Sequence, residues 1–202
     1  MTHEHITSAE VKAPAEIRTE RLLLRRPVAA DAASIFENYA SDESIGRYPA
    51  WQIHRSPLDT EAFLKLAQVE WERWPAGPYL ICYGADRTVI GSTGLVFDSP
   101  HCASMGYVLG RQWWGKGLGT EATVAMINLA AQLSVDPLVA YCHPENIASH
   151  RVLEKAGFHR DAVVSGFCVF PNMGVDDKQS VIRFACSPPM CGRNRFEKNS
   201  AS

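Results

Sequence analysis

Between residues 107 and 122 the chain reads Tyr107-Val108-Leu109-Gly110-Arg111-Gln112-Trp113-Trp114-Gly115-Lys116-Gly117-Leu118-Gly119-Thr120-Glu121-Ala122. A strand-like run passes through a glycine-rich turn into a helix-like run. Glycines at alternate positions 115, 117 and 119 remove side chains where a backbone must curl closely around something. The first turn of the helix that follows offers unpaired N–H groups and the positive end of its dipole at the same spot, an arrangement that binds phosphate. A tight strand-to-helix turn with glycines for geometry alone would carry the same pattern.

Three phosphate-binding patterns compete for this segment. Gly110-x-x-x-x-Gly115-Lys116 is most of a nucleotide P-loop, but Gly117 stands where a Ser or Thr hydroxyl would hold magnesium. The dinucleotide fingerprint G-x-G-x-x-G would need glycine where Thr120 stands, and the acidic residue it expects downstream is offered only by Asp136, before its strand. The third pattern is Gln112-x-x-Gly115-x-Gly117.

With that third pattern the sequence resembles the GNAT superfamily of acyl-CoA-dependent N-acetyltransferases, whose signature is Q/R-x-x-G-x-G/A between a strand and a helix. Pro144-Glu145-Asn146-Ile147-Ala148-Ser149-His150-Arg151-Val152-Leu153-Glu154-Lys155-Ala156-Gly157-Phe158 resembles the family's downstream block. Thr19-Glu20-Arg21-Leu22-Leu23-Leu24-Arg25 and Trp114 through Ala122 are similar to the branch that contains ribosomal-protein-alanine N-acetyltransferases. The resemblance covers residues 17 to 186. It implies an enzyme, expected to be cytoplasmic from its scattered cysteines and the lack of an export signal, that moves acetyl from acetyl-CoA to a primary amine by direct attack in a ternary complex. The amine would be a protein N-terminus, a polyamine or a small molecule, and no metal takes part. A catalytically degenerate acyl-CoA-binding module, sensing or interacting, is the alternative.

The resemblance also distributes roles. Pantetheine would pair with the backbone of Tyr107, Val108 and Leu109, and an amide near Val108 would hold the oxyanion. The pyrophosphate would sit on Gln112, Gly115, Lys116, Gly117, Leu118, Gly119 and Thr120, with Arg111, Lys116 and Arg151 as countercharge. Asn146 and Ser149, three residues apart at a helix start, share a face. Leu153 stands where many members place an acidic tyrosine, so Ser149 becomes the candidate for protonating sulfur; an amide-satisfying serine is the plainer reading. Asn146 reads as an N-cap that can also touch the cofactor. Asp98, His101 and His143 are the candidate bases, with a water chain as the other route. The acceptor wall falls to Arg47, Tyr48 and Trp51, whose aromatics would otherwise finish the core.

The elements that must hold these residues follow from periodicity. Leu22 to Leu24 form a strand. Ala32, Ile35, Phe36 and Tyr39 mark a helix face. A second helix follows Ser56-Pro57, with Phe63, Leu66, Ala67 and Trp71 inward. Tyr79 to Tyr83 and Val89 to Phe97 predict a hairpin, and Ala103 to Leu109 another strand. A helix over residues 117–133, apolar nearly all round, leads to a strand at Leu138 to Cys142. A helix from Ile147 to Ala156 is closed by Gly157, and strands at Ala162 to Phe170 and Ser180 to Ala185 end the order. The expected fold is α+β: a mixed, mostly antiparallel central sheet of about six or seven strands with helices on both faces. The resemblance implies a V-shaped opening between the fourth and fifth strands.

The chain has 202 residues, 46% hydrophobic, which predicts one packed domain over 17–186 between polar tails at 1–16 and 187–202. Twenty Lys and Arg against twenty-two Asp and Glu leave a net charge of −2, without the basic excess of a nucleic-acid binder. No apolar stretch is long enough to span a membrane. The opening residues lack the basic start and apolar run of a secretory signal, and six scattered cysteines read as buried thiols of a reducing compartment. Monomer and homodimer both fit.

Overall fold

The computed structural model describes residues 11–189; residues 1–10 and 190–202, with Cys191 and most of the expected C-terminal tail, lie outside the described residues. The chain order is β1 (Glu16–Arg18), β2 (Leu22–Arg25), α1 (Ala32–Ile35, wound on through Ala40), α2 (Pro57–Arg73), β3 (Pro78–Tyr83), β4 (Thr88–Ser99) and β5 (Cys102–Leu109). There follow α3 (Leu118–Gln132), β6 (Leu138–Cys142), α4 (Ile147–Ala156), β7 (His159–Cys168) and β8 (Gln179–Cys186).

The strands form one eight-stranded sheet in the order β1-β2-β3-β4-β5-β6-β8-β7. Every neighbouring pair is antiparallel except β5 and β6. The strand beyond the expected six or seven is β1, whose three residues are too few to show an alternation. It pairs with β2, Ile17 opposite Leu24. The polar segment before it is tied down from Ala13, whose N–H donates to Pro75 (2.8 Å), while the Pro14 carbonyl accepts from the Tyr79 hydroxyl (2.6 Å).

Strand alternation divides the core. Leu22 and Leu24 of β2 join the cluster under α3 and α4, while Leu23 joins the one with Ile35, Tyr39 and Leu80 on the opposite face. α3 is buried on most sides, through Leu118, Ala122, Met126 and Leu129 among others, as its nearly all-round apolar sequence requires. A capping box between Ser56 and Asp59, with Pro57 behind it, starts α2. Ala67 and Trp71 face inward, but Leu66 is 59% exposed, because the buried stripe of α2 runs through positions 63, 67 and 71 and misses it.

β7 begins at His159, three residues before the strand expected there, because the left-handed Gly157 (φ 107°) ends α4 and Phe158 turns straight into the core. Of the cysteines described, Cys82 and Cys186 are buried and Cys142 and Cys168 half-buried. Cys102 is exposed, a correction to the reading of uniformly buried thiols.

Candidate functional site

β5 and β6 run parallel but share only two rungs, Ala103 with Leu138 and Ser104 with Val139. Past those rungs they separate, leaving a wedge walled by Met105 to Leu109 on one side and Ala140 to Cys142 on the other. This is the opening expected between the two strands. Along its other edge β5 stays paired with β4, in register from Gly91–Leu109 to Phe97–Ala103. The Gly110 N–H donates to Ile90 (2.9 Å), so the alternation of an antiparallel ladder turns the Val108 amide and carbonyl toward β4. The main-chain groups of Tyr107 and Leu109 face the wedge instead. Val108 is thereby removed from the free edge, a correction to the sequence assignment. The Leu109 carbonyl is already taken by the Trp114 indole N–H (2.7 Å).

Beyond β5 the chain makes a short turn over Arg111–Trp113 and enters α3 through Gly115 and Gly117, with φ of 74° and 78°. An added Cβ would meet nothing within 4 Å at Gly115 and only the Arg21 guanidinium, 3.5 Å away, at Gly117, so these two glycines serve left-handed backbone. Gly119 serves close packing: its Cβ would stand 3.1 Å from the Tyr107 ring. Among the described residues no side chain caps α3, and the N–H groups of Leu118, Gly119 and Thr120 have no accepting partner. Three donors and a helix dipole end are therefore free at the mouth of the wedge.

An ion pair that sequence reasoning missed steadies this turn. Glu121, in the first turn of α3, accepts from the Thr19 hydroxyl (2.6 Å), the Arg21 amide (2.8 Å) and Arg21 Nε (2.7 Å). Arg21 Nη1 then reaches the Lys116 carbonyl at 2.9 Å. Partial burial works against the Glu121 charge, but the bonds from Thr19 and Arg21 outweigh it and hold the carboxyl below the usual carboxylate range. An acidic residue in a first helical turn was the available signal; its partner a hundred residues earlier was not legible. Lys116 and Arg111 lie over the rings of Trp113 (4.7 Å) and Trp114 (4.5 Å), so both cations are seated beside the loop. Trp113 itself packs against Tyr83. Gln112 and Arg151 are exposed.

α4 begins at the other wall. Asn146 is its N-cap, Oδ1 accepting from the Ser149 amide at 3.2 Å. The Tyr107 hydroxyl crosses from β5 to within 3.5 Å of Ser149 Oγ. Leu153, where a tyrosine was the alternative, is buried in the core at 2% exposure. His143 follows β6 and lies buried, its Nδ1 accepting from the Glu145 amide (3.2 Å). That bond places the proton of the neutral ring on Nε2. His150 donates Nε2 to the His143 carbonyl (3.0 Å), and burial pushes its pKa down, keeping it neutral.

Two loops meet over this end of the sheet. Tyr48 stacks on His143 at 5.1 Å and its hydroxyl reaches Glu145 (3.4 Å), while Arg47 pairs with Glu145 at 3.7 Å. Phe170, from the segment after β7, meets His143 edge-on at 5.2 Å. Asn172 latches the two loops: Nδ2 donates to the Trp51 carbonyl (2.9 Å) and Oδ1 accepts from the Ile53 amide (3.1 Å) and Gln52 (3.2 Å). Trp51 packs against the smaller core and is not turned over to the wedge alone. The structure brings Arg47, Tyr48, His143, Asn146, Ser149 and Tyr107 to one end of the sheet. His101 is elsewhere. It precedes β5, at the closed end of the wedge, with its ring on the Ser134 carbonyl (3.3 Å), and Asp98 lies near the end of β4 at the same end of the sheet. At ~3.3 Å per residue, His101 stands ~26 Å along the strand from Leu109, so it is withdrawn as a candidate base.

A half-open parallel strand pair beside an uncapped helix start frames the site, and comparison with known proteins identifies the family that shares it. The family model for the acetyltransferase (GNAT) domain matches residues 21–159, and the chain belongs to that family. It is 26% identical over 147 residues to the uncharacterized N-acetyltransferase YnaD of Bacillus subtilis, covering 72% of this chain and 83% of that one. The GNAT-family acetyltransferase from Bacillus anthracis superposes with a TM-score of 0.72 at 22% identity, over 86% of this chain and 98% of the other. The ribosomal-protein acetyltransferase RimL, in complex with coenzyme A, does so at 0.74 and 18% identity, over 85% and 97%.

Proposed function

We propose that the protein transfers an acetyl group from acetyl-CoA to a primary amine by direct attack in a ternary complex. The observation that carries this reading is the set of free main-chain donors at Leu118, Gly119 and Thr120, next to a strand edge left open at the Tyr107 main chain and the Leu109 amide. The donors suit a pyrophosphate, and the edge suits the amide-bearing pantetheine arm as an added strand. Arg151, exposed on α4, supplies countercharge, and Lys116 and Arg111 do so from their tryptophans. Acetyl-CoA supplies the activated thioester; no metal enters the reading.

The chain's own groups then have these tasks. A free amide on the β5 edge, at Tyr107 or Leu109, stabilises the oxyanion. Ser149 donates toward the departing sulfur, while Asn146 holds the start of α4 in place. His143 is fixed by Glu145 with its proton on Nε2 and orients the acceptor wall. The proton of the amine leaves through water. Tyr48, Arg47 and Phe170, with the Trp51 segment, form a wall for an amphipathic amine: a protein N-terminus, a polyamine or a small molecule. A soluble cytoplasmic enzyme, monomeric or homodimeric, fits this reading.

Titration calorimetry with acetyl-CoA, followed by thiol release across an amine panel, tests the proposal. Micromolar binding with turnover on at least one amine is expected. Binding without turnover on any amine would replace it with the acyl-CoA-binding module, and absence of binding would overturn both.

A further inference from the structure

The Tyr107 ring leaves β5 on the α3 side, fills the gap that Gly119 leaves open, and ends with its hydroxyl 3.5 Å from Ser149 Oγ, as the donor. Resting on the acetyl-transfer reading, we infer that Tyr107 is a positioning residue that turns the Ser149 proton into the wedge, toward the departing sulfur.

A serine hydroxyl has one proton and two lone pairs. Left alone near the start of a helix it commonly bonds to nearby backbone. Here Asn146 Oδ1 is already engaged by the Ser149 amide, and of the two hydroxyls that face each other across 3.5 Å the phenol is the more acidic and so the donor toward Oγ. Among the described residues Oγ donates to nothing, so its proton remains available to the wedge. Burial pushes the Tyr107 pKa up to about 12, so the phenol keeps its proton throughout the working range. Cys142, beside it at the end of β6, is likewise pushed up to about 12 by burial and adds no competing charge.

In the transfer step the amine lone pair forms the C–N bond, the C–S bond breaks, and its electron pair leaves on sulfur. Ser149 holds that thiolate by a hydrogen bond and keeps its own proton, a hydroxyl being a far weaker acid than a thiol of pKa about 8.5. The proton shed by nitrogen passes to water, and the sulfur regains one from water on release.

The test is the ionisation of the thiol of bound CoA, followed by thiolate ultraviolet absorbance with the desulfo-CoA complex as blank. In the unaltered protein the bound thiol should ionise below its free value of about 8.5. Tyr107→Phe, which keeps the ring, and Ser149→Ala should each return it to the free value, and the double variant no further. Turnover of Tyr107→Phe should fall roughly tenfold with the acetyl-CoA KM within about twofold, one hydrogen bond's worth of selective stabilisation. Gly119→Ala, which displaces the ring but keeps the hydroxyl, should shift the thiol in the same direction. A thiol that stays depressed in Tyr107→Phe, or losses that simply add in the double variant, would overturn the role of Tyr107 alone. Failure of CoA to bind the unaltered protein would instead overturn the acetyl-transfer reading beneath it.

Discussion

Glu121 joins three distant stretches: it accepts from Thr19 and Arg21, and Arg21 in turn holds the Lys116 carbonyl of the loop. Because its folded pKa is depressed, its contribution is complete above the ordinary carboxylate range and is lost as pH falls through the lower folded value. Glu121→Gln should therefore cost about 2 kcal/mol at neutral pH, and the gap to the unaltered protein should close as both are acidified below about pH 4. Urea melts at several pH values measure this; a gap independent of pH would refute it. Gly117 is the other residue on which the loop turns. Its φ of 78° suits no β-branched side chain, so Gly117→Val should weaken acetyl-CoA binding by more than tenfold while the melting temperature drops only a few degrees. Unchanged affinity in calorimetry would detach the loop from phosphate binding.

At the scale of elements, the uncapped start of α3 presents donors and the start of α4 presents Ser149, but the proposed acceptor wall depends on two loops with little regular structure. Asn172 replaces the missing ladder between them with three hydrogen bonds to the 51–53 backbone and Gln52. Asn172→Ala leaves those partners to water or unsatisfied, at about 1–3 kcal/mol. The expected kinetic signature is a several-fold rise in KM for the amine with acetyl-CoA affinity unaltered; equal losses for both substrates would assign Asn172 to general stability. The Asn172 latch was not legible from sequence. Pro171-Asn172 reads as an ordinary turn, and its partners lie about 120 residues away. The helices themselves were legible, because α3 and α4 carry strong local signals in apolar periodicity, Asn146 and Gly157. β1 was not, having only three residues to show an alternation.

At the scale of the molecule, the proposed acetyl transfer depends on β5 and β6 pairing for two rungs and then parting. The closed end, with His101 and Asp98, is a strand's length from the open end, and helices α1 and α2 close the opposite face of the sheet over β2 to β4. His101→Ala should leave turnover within about twofold, since the ring only caps the Ser134 carbonyl, a bond worth about 1 kcal/mol to stability. A hundredfold loss would return it to the reaction.

The amino-acid sequence by itself determined the glycine-rich turn before α3, the caps of α4 and the α+β order of elements, while the expectation of an acetyl donor came from the resemblance of three separated motifs to a family. The turn, the caps and the elements rest on neighbours within a turn or two, where residue type and spacing fix conformation. The tertiary structure decided which of the candidate residues meet. It sent Val108 toward β4 and left Tyr107 and Leu109 on the free edge, carried His101 away, drew His143, Tyr48 and Phe170 together, and set the Tyr107 phenol against Ser149. Strand register and packing between distant segments make those choices, and neither is written in any local window of the chain.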